Sequence, residues 1–284
     1  MEVDLAGEAS KLASRLASRR ETLWLMGAAA GLTVLGADGA RPSKGSSAAV
    51  ETAPRTRPAA NPAPPPKPKP KPRPAAWTPA KLTAVETPVR ELSQLSPAPP
   101  PKSIALTIDD GPNPKWTPQM LDLLAEEEIR ATFFIIGEQV KEYPALTRRI
   151  ADAGHQICNH TETHPIGIGR LSAKRVRKEI VEAHDRIADV TGVVPQYFRS
   201  PGGAWSKTVL DVTAEHGMLP IDWAVDPRDW ARPGVGRIRR SLLAGKEGDI
   251  VLCHDGGGDR SQTIKALRGA IPKLKKRGLT FVAL

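Results

Sequence analysis

Cysteine is scarce in this chain: Cys158 and Cys253 are the two among 284 residues. That excludes a disulfide-dense scaffold and a metal site built from thiolates alone. Both are expected as small buried thiols; a bridge between them stays compatible with an exported protein. Long apolar runs are missing too. The uncharged stretch at residues 23–37 has 15 residues, short of the roughly 20 that span a bilayer. A basic surface on the folded part is also lacking. The formal charge is +10, but residues 41–102 carry +8 of it (11 Lys and Arg against 3 Glu), while residues 103–284 carry +3 (26 against 23). That balance argues against nucleic acid as a partner of the folded part.

The first 40 residues have the pattern of an export signal. Lys11, Arg15, Arg19 and Arg20 precede the apolar stretch, and Ser18-Arg19-Arg20-Glu21-Thr22-Leu23 resembles a twin-arginine signal. Ala37-Asp38-Gly39 offers an imperfect small-residue cleavage point. The alternative is an amphipathic helix over residues 4–20 leading into an uncleaved anchor, the one route by which the chain would touch a membrane. Residues 41–102 then hold 17 of the 28 prolines, densest from Pro64 to Pro74. Proline fixes φ and lacks an N–H, so this segment is expected as a disordered polyproline-II linker. At about 3.1 Å per residue it would reach on the order of 150–190 Å if extended. Its lysines suit anionic cell-wall polymers. Export and tether together predict an extracellular or cell-wall-associated protein.

Residues 103–284 alternate between strand and helix patterns. Ile104-Ala105-Leu106-Thr107-Ile108 reads as a buried strand that runs into Asp109-Asp110, and Gly111-Pro112 breaks it. Further strands are expected at residues 131–137, 155–158, 197–199, 218–223, 248–253 and 280–283. Helices are expected at 117–128, with Thr117 as N-cap, and at 144–153, 171–191 (capped by Ser172), 207–217 (capped by Ser206) and 263–276. A polar cluster follows each of several strands. That is the pattern of a (β/α) barrel with its site on the carboxyl face of the strands.

The clusters carry their own chemistry. Adjacent aspartates in a strand point to opposite faces, but a turn after the strand brings both to one pocket, where a divalent cation would offset their repulsion. His160 and His164, four residues apart in a loop, supply two imidazoles; two His plus a carboxylate with open positions is a catalytic rather than a structural metal site. Arg199, at a strand end before Pro201-Gly202-Gly203, suits pairing with a carboxylate. No further ligand cluster is seen, which argues against a two-metal phosphodiesterase.

Five ordered motifs carry a family resemblance: Thr107-Ile108-Asp109-Asp110-Gly111-Pro112, His160-Thr161-Glu162-Thr163-His164, Arg199-Ser200-Pro201-Gly202-Gly203, Asp226-Pro227-Arg228-Asp229-Trp230 and Leu252-Cys253-His254-Asp255. With them the chain resembles the polysaccharide deacetylases, the NodB-homology domain of carbohydrate esterase family 4. The resemblance implies a distorted (β/α)7 barrel over residues 103–284 and metal-dependent hydrolysis of a linear amide, the acetamide of an N-acetylated sugar. It implies Asp110, His160 and His164 as ligands of a divalent metal, zinc first, with cobalt or manganese as alternatives. It makes Asp109 the general base, paired with Arg199, and His254 the general acid, supported by Asp229. Trp230 and Leu252 would line the acetyl pocket, and the backbone N–H of Gly202 would face the developing oxyanion. Gly202 stands where the family often has an aromatic residue, which implies an open groove wall. Given the tether, the expected substrate is N-acetylglucosamine in peptidoglycan; chitin oligomers and acetylxylan are alternatives, and an inactive wall-binding module is a third reading. A monomer is expected.

Overall fold

In the first strand, Ile104, Leu106 and Ile108 belong to one apolar cluster and Ala105 to another. This is the period of two that a strand imposes. The computed structural model describes residues 86–284. The expected export signal at 1–40, and the linker as far as residue 85, lie outside the described residues.

The described chain is an α/β domain. Its elements in order are β1 (Ser103–Asp109), α1 (Trp116–Glu126), β2 (Thr132–Ile135), α2 (Gly137–Glu142), α3 (Pro144–Asp152), β3 (Gln156–Asn159), α4 (Ala173–Thr191) and β4 (Tyr197–Phe198), then α5 (Lys207–Glu215), β5 (Leu219–Pro220), α6 (Val235–Ala244), β6 (Ile250–His254), α7 (Ser261–Lys276) and β7 (Thr280–Val282). All strand pairs are parallel, in the order β5-β4-β3-β2-β1-β6, and β7 lies along the first half of β1. The seven expected strands are all present. Helices α2 and α6 were not anticipated: α2 is short, and α6 carries Arg237, Arg239 and Arg240 in a stretch that reads as polar.

The sheet curls. Its alternate side chains sort into an outer layer under the helices and an inner, barrel-side layer. Phe133, Ile135, Ile157, Val251 and Cys253 join the outer cluster, while Phe134, Cys158, Tyr197 and Ile250 join the inner one. The two cysteines are free and buried, in different layers, as expected of small buried thiols.

The gap between β5 and β6 is closed by chain from outside the sheet. Val89 bridges Ile221, Glu91 bridges Asp249 and Val225 bridges Val251. The packed domain therefore begins before the expected boundary at residue 103. The prolines of the tether mask an apolar triplet, Val89, Leu92 and Leu95, all buried in the inner cluster. Each such side chain contributes about 1.5–3 kcal/mol, enough to dock a segment that a proline count assigns to a linker.

The helix ends show why the site loops hold their shape. Ser172 and Ser206 cap α4 and α5 as expected, accepting from Arg175 and Val209. Thr117 is not the N-cap of α1. It lies inside the helix, and its hydroxyl donates to buried Asp255 at 2.5 Å, while Asn113 Oδ1 accepts from the N–H groups of Lys115 and Trp116. Among the described residues, no helix is long and apolar enough to cross a membrane.

Candidate active site

The polar clusters converge at the carboxyl ends of the strands. Asp109 is the last residue of β1 and faces inward with Thr107 by the strand's alternation. Asp110 then takes φ 73°, and this left-handed residue swings the second carboxylate to the same cavity. The cleft holds about 570 Å³ and is lined by, among others, Asp109, Asp110, His160, His164, Leu252 and His254.

His160 and His164 come from the loop after β3, with Thr161 at φ 72° and His164 at φ 58°. Buried acids hold this loop. Glu162 pairs with Arg186 at 2.7 Å, and Glu179 accepts from the N–H and hydroxyl of Thr163, both at 2.8 Å. The His160 Nδ1 lies 2.8 Å from the carbonyl of Arg199. That carbonyl only accepts, so Nδ1 donates and Nε2 faces the cleft.

Ligand atoms from Asp110, His160 and His164 lie within 4.8 Å of one another. The Oδ1 of Asp110 is 3.1 Å from His164 Nε2 and 3.5 Å from His160 Nε2. It is buried and accepts no hydrogen bond of good geometry. Burial alone would raise the Asp110 pKa, but the imidazoles of His160 and His164, with the charge of His254, hold it well below the carboxylate range. A buried, ionised, orphaned carboxylate oxygen beside two imidazole nitrogens fits a divalent cation.

Arg199 is fully buried inside the barrel. Its Nη1 donates to Asp109 Oδ1 at 2.7 Å and to Thr107 at 2.8 Å, its Nη2 to the carbonyl of Asp222 at 2.9 Å, and its plane stacks 4.1 Å from the Phe134 ring. These partners, with the Ile221 carbonyl at 3.4 Å from Nε, fix Arg199, and through it the Asp109 carboxylate. Its other oxygen lies 3.7 Å from His160 Nε2.

His254 ends β6, and Asp229 approaches it from the turn after Val225. Asp229 Oδ1 is 2.7 Å from His254 Nδ1, and Oδ2 accepts from the His254 N–H at 2.9 Å and from the Thr263 hydroxyl at 2.8 Å. Burial would lower the His254 pKa; the hydrogen bond to Asp229 and the charges of Asp229, Asp110 and Asp109 outweigh it and raise it to about 9. The imidazolium is therefore present below that pH and lost above it. Asp229→Asn removes the charge and one acceptor, so the alkaline limb of the kcat profile is expected to move down by roughly one to two pH units, toward the free-imidazole value. An unmoved limb would assign that proton to another group.

The remaining expected residues, Gly202, Trp230 and Leu252, line the cleft. Trp230 is 47% exposed, with Arg228 stacked 5.0 Å over it. The groove wall beside Gly202 is not open as expected. Ile166, 61% exposed, also lines the cleft, and a Cβ on Gly202 would stand 3.3 Å from its Cγ2. Gly202 itself has φ 61°, a region that resists an aromatic residue. Ile136, Trp223, Asp226, Gly257 and Arg260 line the cleft as well. The motif pattern assigns them no role. Asp226 does lie in the Asp226–Trp230 polar turn, whereas Ile136 reads as part of the strand expected at 131–137 and Ile166 gives no signal beyond apolarity in a loop.

Fold and site define an α/β enzyme with a candidate catalytic metal site at the carboxyl rim of a curled parallel sheet. The sequence profile of the polysaccharide deacetylase family matches residues 96–221. A chitooligosaccharide deacetylase of Bradyrhizobium sp. (strain ANU 289) is 44% identical over 190 residues, covering 62% of this chain and 86% of that protein. A peptidoglycan-N-acetylglucosamine deacetylase of Bacillus cereus is 42% identical over 186 residues, 64% of this chain and 86% of its own. Among solved structures, a family 4 carbohydrate esterase from Streptomyces lividans in complex with acetate superposes with a TM-score of 0.60 at 31% identity, covering 63% of this chain and 91% of that one. The chain belongs to the polysaccharide deacetylase family.

Proposed function

We propose that this protein hydrolyses the acetamide of N-acetylglucosamine units in peptidoglycan, as a metal-dependent deacetylase exported to the cell wall. The observation that carries the reading is one cleft lined by Asp110, His160 and His164, by the Arg199-held carboxylate of Asp109 and by the Asp229-held imidazole of His254. A divalent cation bound by the first three residues, zinc by preference for the His₂-carboxylate set, supplies Lewis acidity toward the amide carbonyl and acidifies water.

The protein's own groups do the rest. Asp109, fixed by Arg199, takes a proton from the attacking water. His254, protonated through Asp229, gives one to the leaving amine, which departs as the free amine and not as its anion. On this reading the backbone N–H of Gly202, which lines the cleft, meets the negative charge that develops on the carbonyl oxygen. Leu252 and Trp230 supply apolar wall for the acetyl methyl.

Relatives named for both chitooligosaccharides and peptidoglycan support the N-acetylglucosamine unit as the common substrate element. The basic, proline-rich linker and the export-like first 40 residues support the wall polymer. The test is acetate release from peptidoglycan, chitin oligomers and acetylxylan, with and without chelator. Release from the N-acetylglucosamine polymers, greatest for peptidoglycan, lost with chelator and restored by zinc, is expected. A preference for acetylxylan would overturn the substrate, and release undiminished by chelator would overturn the metal.

A further inference from the structure

Arg260 lines the cleft yet is only 3% exposed. It ends the turn that leads from Asp255 into α7. Gly256-Gly257-Gly258-Asp259-Arg260 reads in sequence as a solvated turn, but the segment folds against the metal-site carboxylate. A Cβ on Gly256 would stand 1.9 Å from the Asp110 carbonyl oxygen; one on Gly257 would stand 2.9 Å from Asp110 Oδ2 and 3.1 Å from Arg260 Nη2. One glycine separates the guanidinium from the candidate metal centre.

Asp110 faces Arg260 across Gly257 without an ion pair, and three other nearby acids have partners of their own. Asp259 pairs with Arg232 at 2.8 Å, Asp255 accepts from Thr117, and Asp229 holds His254 and Thr263. Among the described residues Arg260 makes one hydrogen bond, Nε donating to the Gly256 carbonyl at 2.6 Å, and no ion pair. Among the described residues, no acceptor meets the N–H groups on Nη1 and Nη2. Arg260 is nearly enclosed, but its Nη1 and Nη2 keep contact with solvent at the cleft, and an acceptor arriving there replaces water. The planar fork matches a carboxylate. Asp109, Asp110 and Asp226 line the same cleft, and their charge disfavours an anion of higher charge than a monocarboxylate.

We propose that Arg260 is a carboxylate-binding residue of this cleft. It holds either the acetate that the reaction releases or a carboxylate carried by the sugar polymer next to the acetylated unit. The inference rests on the deacetylase reading above for the origin of its ligand, not for the arginine's unmet donors.

The zinc-loaded full chain is compared with its Arg260→Gln and Arg260→Lys variants at constant ionic strength. Sodium acetate binding is measured by calorimetry, with acetamide as the uncharged control. Separately, kcat/KM is taken on neutral N-acetylglucosamine oligomers and on glycan strands whose sugars bear free lactyl carboxylates. If acetate is the ligand, Arg260→Gln weakens acetate binding about tenfold or more and leaves acetamide unmoved. If the polymer supplies the carboxylate, the acidic-to-neutral kcat/KM ratio falls by about the same factor. Arg260→Lys keeps the charge and loses the fork, and it takes an intermediate value in either case; it also serves alone should the Gln variant not fold. Acetate affinity and substrate ratio both within about twofold of wild type, in a variant with unchanged unfolding temperature, would overturn the proposal. Failure of the deacetylase reading looks different: wild type would then bind acetate but release none from any N-acetylated polymer.

Discussion

Asp109→Asn is expected to lower acetate release by roughly 10²–10⁴-fold, the range that a positioned general base contributes, while metal content stays at the wild-type level. The separation of effects follows from geometry. The candidate ligand set is Asp110, His160 and His164, and Asp109 stands outside it, tied to Arg199 at 2.7 Å. An asparagine oxygen can still accept from Nη1 and so keep the side chain in place, but it cannot take the proton. The second consequence is on stability. Arg199 is fully buried and Asp109 is its one carboxylate partner among the described residues. Removing one member of a buried pair costs about 3–5 kcal/mol when the remaining charge is uncompensated; here the Thr107 hydroxyl, two backbone carbonyls and the Phe134 ring remain, so the loss lies toward the low end. Acetate release, bound metal and unfolding temperature measured on one preparation separate these effects. Full activity in Asp109→Asn would move the base to another group.

The fold was legible because its periods are strong. In β1, β2, β3 and β6 the inward and outward residues alternate without a break, and every expected strand is present. The candidate site was legible at the strand ends, where Asp109, Asp110, His160, His164, Arg199 and His254 stand in short ordered motifs. What could not be read was everything set by contact between distant segments. Val89, Leu92 and Leu95 are apolar residues in a proline-rich stretch, and only the gap between β5 and β6 explains them. Thr117 looks like a helix cap, but a buried carboxyl at Asp255, 138 residues away, takes its hydroxyl. That carboxyl is fully enclosed, and burial pushes its pKa up to about 7, against the hydrogen bond from Thr117. Ile166 and Arg260 lie in loops, where apolarity and charge carry no period, so their place in the cleft depends on how those loops fold back. The groove wall shows the same limit: Gly202 alone implied an opening, and the neighbour that fills it comes from a different loop.

The two histidines are expected to part company under mutation. His160 is buried, and its Nδ1 serves the carbonyl of Arg199, itself in the barrel interior. His164 has a side chain 25% exposed, and its ring meets Asp110 and the His160 ring. Both His160→Ala and His164→Ala remove one of three ligands, and each should weaken metal binding by more than the 10–100-fold typical of changes outside the ligand set, with acetate release falling in parallel. In chelator the two variants diverge. His160→Ala leaves a buried carbonyl without its donor, a loss of about 1–3 kcal/mol, together with a cavity in the inner wall. His164→Ala trims a side chain that is 25% exposed on its loop, so the metal-free unfolding temperature stays near wild type. Metal titration and thermal unfolding, each with and without chelator, read both halves of this prediction. Equal destabilisation of the two variants in chelator would mean that His164 is part of the packing, and wild-type metal affinity in either would remove that residue from the ligand set. The expected outcome is that one imidazole carries the metal and the fold while the other carries the metal alone. That arrangement leaves the outer ligand's loop, which also bears Ile166, free to change its contacts with substrate without loosening the barrel beneath it.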